Sequence, residues 1–270
     1  DRNAANGPTI DTTLYTGWNA LAAPAFVHAF GVVGKRSYLN QALLILGSLW
    51  SEFESARQAL PHVVNVPGGP RFLADHVHAL GAFLGCYQAT GDRMHIERAE
   101  AVLGAIRSQF SAPDGGFYDV YVGTESGGPQ LAGVKPVLEN ALLVETMAIL
   151  ATIDQDEEAL AEARATLDTF SEVVPGKSYL GPPRLRRVEE DEERLFLPAA
   201  SAWARASRLV RSRPVHLVVI GDASSNPTKK LARTALKSRT PGWVVQFLDP
   251  NVEPETVGAL GFPVNDNSTI

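Results

Sequence analysis

Five apolar positions at offsets 0, 3, 7, 10 and 14 recur three times in this chain. The copies are Leu39, Ala42, Leu46, Leu49, Phe53; then Ile96, Ala99, Leu103, Ile106, Phe110; then Leu160, Ala163, Leu167, Phe170, Val174. Such spacing places every member on one stripe of an α-helix, and alternation of the β type is excluded by it. An alanine at the second position of each copy lets a neighbouring helix approach closely. Copies displaced by 57 and then 64 residues are too long for a coiled-coil heptad and fit a repeated supersecondary unit.

Each copy follows a second helical pattern: Trp18 to Val33, Phe72 to Thr90 and Pro136 to Ile153. These preceding segments carry apolar and small residues on most faces, the signature of a helix buried on most sides. Pro24 is read as an early helix residue, with a kink as the alternative. Gly34, Gly91-Asp92 and Asp154 to Asp156 supply the breaks between the two helices of each pair. The expected unit is an inner helix, a short turn and an outer helix, followed by a longer irregular link. The links, Leu60 to Arg71 and Ser111 to Lys135, hold short β-type patches at His62-Val63-Val64 and Phe117 to Val122. Long links between packed hairpins are where function concentrates. A further helix is expected from Leu195 to Val210, after an acidic run, Glu189 to Glu193, that reads with Arg184, Arg186 and Arg187 as a solvated linker.

From Val215 the pattern changes. Val215 to Ile220 reads as a buried strand, Thr228 to Lys237 as a helix, Trp243 to Leu248 as a second strand and Glu253 to Leu260 as a short helix. The fold class is therefore mainly α: an incomplete α/α toroid over residues 1–212, with a small C-terminal α/β segment over residues 213–270. A chain of 270 residues has room for both. It opens at Asp1 with no leader pattern and reads as a piece of a longer protein.

Charge and motifs exclude several functions. A formal net charge of −6 argues against a nucleic-acid partner, which needs clustered Lys and Arg. No apolar run is long enough for a membrane span. Cys86 is the single cysteine, so no intrachain disulfide or Cys-rich metal site exists; this is compatible with a reducing, cytoplasmic compartment. In the apolar FLGCY run it reads as a buried, inert thiol. The stretch Gly221 to Lys230 lacks the second Gly and the Gly-Lys-Ser/Thr ending of a phosphate loop. It reads as a turn, with Asn226 capping a helix that begins at Pro227. No cofactor and no metal are expected.

The repeat register singles out polar residues. Counting back from the first template position, Asn19 and Asn140 lie at −20, and Asp75 and Glu139 at −21. In a hairpin array, matching positions sit side by side at one end of the structure. Trp18-Asn19, Asp75-His76 and Glu139-Asn140 are thus expected to converge, with His78, Arg71 and Tyr118 joining them. Half-buried carboxylates and imidazoles suit proton transfer, and Trp and Tyr faces suit sugar rings. The structural alternative is that Asn and Asp near helix starts act as caps, and buried Asn and His satisfy backbone groups. His76 and His78, two apart on a helix, point different ways, so one at most serves the cluster.

The same residues carry a family resemblance. DTTLYTGWNA (Asp11 to Ala20), FLADHVHAL (Phe72 to Leu80), Ala89 to Asp92 followed by FSAPDGGFY (Phe110 to Tyr118), Val137 to Leu150 and the VVIGD segment resemble the thioredoxin-domain-containing proteins of the spermatogenesis-associated type and their bacterial relatives. The resemblance implies an N-terminal thioredoxin-like domain before Asp1, and a toroid similar to N-acylglucosamine 2-epimerases and six-hairpin glycosidases. The chain departs from that pattern at Thr12-Thr13, Ala74-Asp75-His76 and Val137-Leu138-Glu139-Asn140, while Trp18, Asn19, Asp75 and Asn140 remain. The first reading is a carbohydrate-directed, epimerase- or glycosidase-like site. Asp75, Glu139 and His76 or His78 would be its acid/base groups, and Trp18, Asn19, Asn140, Tyr118 and Arg71 would contact a sugar ligand. The second is a non-catalytic scaffold or binding domain serving a thioredoxin module.

Overall fold

The computed structural model describes residues 11–56, 59–66, 69–121, 133–170, 189–222, 224–238 and 242–263. Their helices are α1 (Thr16–Val33), α2 (Arg36–Ser55), α3 (Leu73–Thr90), α4 (Arg93–Phe110), α5 (Val137–Asp154), α6 (Glu157–Asp168) and α7 (Glu189–Ser212). A C-terminal part adds β3 (Val215–Ile220), α8 (Asn226–Ser238), β4 (Trp243–Leu248) and α9 (Pro254–Ala259), while β1 (Arg71–Phe72) and β2 (Val120–Tyr121) are short pieces in the links.

All five residues of the first and second templates are buried, as are Leu160, Ala163, Leu167 and Phe170 of the third; Val174 lies outside the described residues. Each fully buried Leu, Ile or Phe contributes about 1.5–3 kcal/mol, which makes the repeated stripe the seam that holds an outer helix to its inner partner. The breaks also form as the sequence predicts. Gly34 (φ 78°) and Gly91 (φ 71°) end α1 and α3 in the left-handed region, and Gln155 (φ 56°) does so after α5. The Asp92 carboxylate then accepts from Met94 N, and that of Asp156 from Glu158 N and Ala159 N, to start the outer helices.

Helices α1, α3, α5 and α7 pack side by side as an arc of inner helices, with α2, α4 and α6 behind the first three. This is α/α toroid architecture. The α7 backbone already begins at Glu189, so the acidic run expected as a linker starts an inner helix. Arg184, Arg186 and Arg187 lie outside the described residues. Pro24 lies well inside α1 rather than near its start.

β3 and β4 pair in parallel, from Val215 opposite Trp243 to Ile220 opposite Leu248, with α8 as the crossover. Asn226 does not cap α8: Ser225 does, its hydroxyl accepting from Thr228 N at 3.2 Å. This α/β unit sits on the C-terminal ends of the inner helices. Val245 N donates to Gln88 Oε1 (3.2 Å), Gln246 Nε2 donates to Tyr87 Oη (3.0 Å), and Arg233 Nη2 donates to the Val33 carbonyl (2.9 Å). Gln246 is itself buried, and its Oε1 lies 2.9 Å from His216 Nε2, so the polar contact is satisfied at both ends of the amide. Cys86 is buried, and burial pushes its thiol up to about 12. No helix among the described residues is long and apolar enough to cross a membrane.

Candidate active site

At the N-terminal ends of α1, α3 and α5 the two register positions do different work. The residue at −20 is Asn19, His76 or Asn140. Each places a side-chain nitrogen on the carbonyl four residues earlier, the residue just before its helix. Asn19 Nδ2 donates to Tyr15 O (2.8 Å), His76 Nδ1 to Phe72 O (2.9 Å) and Asn140 Nδ2 to Pro136 O (2.9 Å).

His76 and Asn140 also grip the link that leads into their helix. His76 Nε2 accepts from Leu60 N at 3.0 Å, which fixes the proton on Nδ1. Asn140 Oδ1 accepts from Phe117 N (2.8 Å) and its Nδ2 donates to Phe117 O (2.9 Å). Both side chains are buried, and burial holds His76 down at about 4. With both ring nitrogens committed to backbone, His76 is a clamp on the link and not an acid/base group. Asn140 is likewise bound to its own link rather than to Asn19 or Asp75.

The residue at −21 faces the rim of the arc. Asp75 is 2% exposed; its Oδ1 accepts from Gly17 N (2.8 Å) and its Oδ2 accepts from His62 Nδ1 (2.9 Å). A Cβ on Gly17 would stand 2.7 Å from Asp75 Oδ1, so the approach needs glycine at this position. Burial raises the Asp75 pKa, against the lowering influence of His62 and Gly17. The link reaches Asp75 because it pairs with the start of α1: Thr16 N donates to His62 O, Val64 N to Leu14 O, and the Thr16 hydroxyl to Pro61 O.

Aromatic rings surround this pair. Tyr15 lies 4.6 Å from Trp18 and 5.2 Å from His62 between ring centroids, and His62 lies 4.7 Å from Phe72. Trp18 is 70% exposed and the His62 side chain 43% exposed, so one aromatic face and one imidazole are open to a ligand above a buried carboxylate. His62, absent from the predicted site, lies in a Pro- and Gly-rich link that has no periodicity to mark it.

The other expected residues divide. His78 is half-buried, its Cδ2 3.8 Å from the position of a Gly17 Cβ, and burial lowers its pKa. Glu139 is half-buried on the first turn of α5, and burial, with repulsion from Asp119, raises its pKa. Tyr118 lies 5.8 Å under the Lys135 ammonium. Arg71 donates to Gln109 Oε1 (3.1 Å) and lies 5.6 Å over Tyr121. Among the described residues, no group of three or more His, Cys, Asp or Glu side chains is arranged to hold a metal ion.

No protein-family model matches the sequence, and comparison with curated proteins finds no match. Solved structures do resemble it. A family 76 α-mannanase of Bacteroides thetaiotaomicron matches with a TM-score of 0.59 and 12% identity, over 91% of this chain and 65% of that one. An α-1,6-mannanase of Salegentibacter sp. gives 0.56 and 11%, over 87% and 64%. Cellobiose 2-epimerase from Bacillus thermoamylovorans gives 0.54 and 16%, over 75% and 59%. The chain spans between 36% and 65% of the length of the first three solved structures it resembles. At these identities the likeness is one of fold, and the fold is the α/α toroid shared by six-hairpin glycosidases and sugar 2-epimerases.

Proposed function

We propose that this chain is part of a carbohydrate-directed toroid whose acid–base centre is the His62–Asp75 pair, with Trp18 and Tyr15 as the shelf for a sugar ring. The observation that carries the reading is a half-exposed imidazole held at 2.9 Å by a carboxylate that is otherwise buried. With Nδ1–H given to Asp75, the Nε2 lone pair is the basic site, and the buried carboxylate stabilises the imidazolium formed when a proton arrives.

An epimerase-like reaction uses this arrangement directly. Nε2 takes the proton from the carbon beside the carbonyl of an open-chain reducing sugar. The C–H electron pair becomes the enolate C=C as the carbonyl π pair moves onto oxygen, and reprotonation of the carbon on its opposite face by Glu139 restores the carbonyl and inverts the centre. Glu139, whose raised pKa keeps it protonated at higher pH than an ordinary carboxyl, suits the donor role. The likeness in fold to a cellobiose 2-epimerase supports this chemistry, and that to the mannanases supports an oligosaccharide as the ligand.

The test is solvent exchange. Cellobiose and mannobiose are incubated with the chain in D2O, and deuterium at C2 is read by NMR. Incorporation that vanishes in His62→Ala is expected. No incorporation with either sugar would remove the epimerase reading, and new reducing ends from α-1,6-mannan would replace it with a glycosidase.

The use of His76 and Asn140 as backbone clamps favours one second reading, a non-catalytic sugar-binding or scaffold domain beside the thioredoxin-like domain that the sequence resemblance implies. Sugar binding without exchange or hydrolysis would support it.

A further inference from the structure

Among the described residues, β3 (Val215–Ile220) and β4 (Trp243–Leu248) form a sheet of two parallel strands, and the outer edges of the two strands differ. Parallel pairing is the weaker kind, and parallel strands, apolar along their length, are ordinarily covered on both sides. β4 follows that rule. Val244, Val245, Gln246 and Leu248 are buried, and the far edge is closed where Val245 N donates to Gln88 Oε1. β3 breaks it: Val215 is 51% exposed, and every residue from His216 to Ile220 is only half-buried.

The ladder fixes which backbone groups of β3 look outward. Val215 N donates to the Gly242 carbonyl and Gly221 N to that of Leu248, so the odd-numbered residues turn their amides toward β4. His216, Val218 and Ile220 therefore turn their N–H and C=O groups the other way, where no described strand lies to take them. Edges of this kind are ordinarily guarded by a charged side chain, a proline or a bulge. The run Val-His-Leu-Val-Val-Ile has none of these, and its register with β4 is unbroken from end to end. Its one polar side chain, His216, is engaged with Gln246 Oε1 at 2.9 Å. Charge stands only at the two ends of the strand. Arg213 precedes it, with a side chain 69% exposed and paired with the equally open Glu157, and the exposed Asp222 follows it.

We infer that the free edge of β3 is an interface for a second copy of this chain, paired antiparallel across a two-fold axis so that the two small sheets become one. The end charges select that occupant and its direction. An antiparallel copy lays each Arg213 beside the partner's Asp222, whereas a parallel copy in register would set like charge on like. The outward groups then meet correctly: Val218 lies opposite the partner's Val218 on the axis and His216 opposite the partner's Ile220, each pair exchanging backbone bonds. The half-buried apolar side chains of β3 gain neighbours on their open side in the same step. The interface uses no residue of the His62–Asp75 pair, so this inference stands or falls apart from the proposed reaction.

The experiment is sedimentation equilibrium of the chain from low to high micromolar concentration, with amide hydrogen exchange read at both ends of that range. A reversible dimer is expected. On dilution the amides of His216, Val218 and Ile220 should exchange about tenfold faster, while those of Leu217 and Val219, held by β4, keep their rates. Val218→Pro removes an outward N–H at a place where an edge strand accepts proline, and should raise the dimer dissociation constant about tenfold. Its folding is checked by its melting curve, and a pair of charge variants tests the interface without it. Arg213→Asp and Asp222→Arg should each weaken self-association roughly fivefold. An equimolar mixture of those two should associate as well as the native chain, because opposite charges meet at both ends of the mixed pair. A chain that stays monomeric throughout, growth past the dimer, exchange at His216, Val218 and Ile220 that ignores concentration, an unchanged dimer in folded Val218→Pro, or a mixture no tighter than its components would each overturn the inference.

Discussion

The imidazole of His62 and the carboxylate of Asp75 meet at 2.9 Å, joining an irregular link to the first turn of an inner helix. The carboxylate is fixed from its other side by Gly17 N, so α1, the link and α3 are tied at one point. Asp75→Asn keeps the shape and removes the charge that stabilises the imidazolium. A loss of roughly 10²–10⁴-fold in deuterium exchange is expected, with little change in sugar affinity. Gly17→Ala should act in the same direction by pushing the carboxylate away, and NMR of the His62 ring protons reports the displacement in both variants.

Asn140 makes three hydrogen bonds from a fully buried side chain. Replacing it with Ala leaves Phe117 N and O without their partner, at about 1–3 kcal/mol for each buried group. Asn140→Ala is therefore expected to lower the urea midpoint by more than most surface changes. Asn140→Leu should do no better, because its volume restores no bond.

His76 is buried in its neutral form, with its pKa held at about 4 against an ordinary 6.5. The unfolded chain binds a proton at this position more readily than the folded one. Its contribution is therefore intact above about pH 6.5 and is lost as pH falls from there through about 4, to the extent of roughly 3 kcal/mol. Denaturant midpoints measured between pH 7 and pH 4 should fall, and His76→Gln should flatten part of that slope while being less stable at pH 7.

Gln246 and Gln88 join the α/β unit to α3. Gln246→Leu leaves Tyr87 Oη without this donor and His216 Nε2 without its acceptor, and should cost about 1–3 kcal/mol. Hydrogen exchange should quicken in β4 before it does in α3 or α4. Uniform quickening across the chain would mean that the unit does not open separately.

Helices were legible wherever burial follows a single stripe. The template residues from Leu39 to Phe53 and from Ile96 to Phe110 are the buried face of their helices, and strands Val215–Ile220 and Trp243–Leu248 begin and end where their apolar runs do. Polar positions were legible only as a register. The sequence brought Asp75 and Glu139 to the rim but could not separate them from His76 and Asn140, because the distinction depends on which backbone groups the links present. His62 is missed for the same reason: its place is set by pairing of a link with a distant segment, Val63 with Tyr15. Such contacts leave no period in the chain. The Ser225 cap was displaced by one residue, since both Ser225 and Asn226 are competent caps and only geometry selects between them.

The clamps at Asn140 and His76 make a hairpin separable at an unexpected place. Each secures the strand of chain that arrives before its own helix, so the natural joint between neighbouring modules falls upstream of Phe117 or of Leu60, not at the helix starts. A graft that transplants α5 and α6 should carry Phe117 with it. Recombination at such joints would let one ring exchange its rim while keeping its seams.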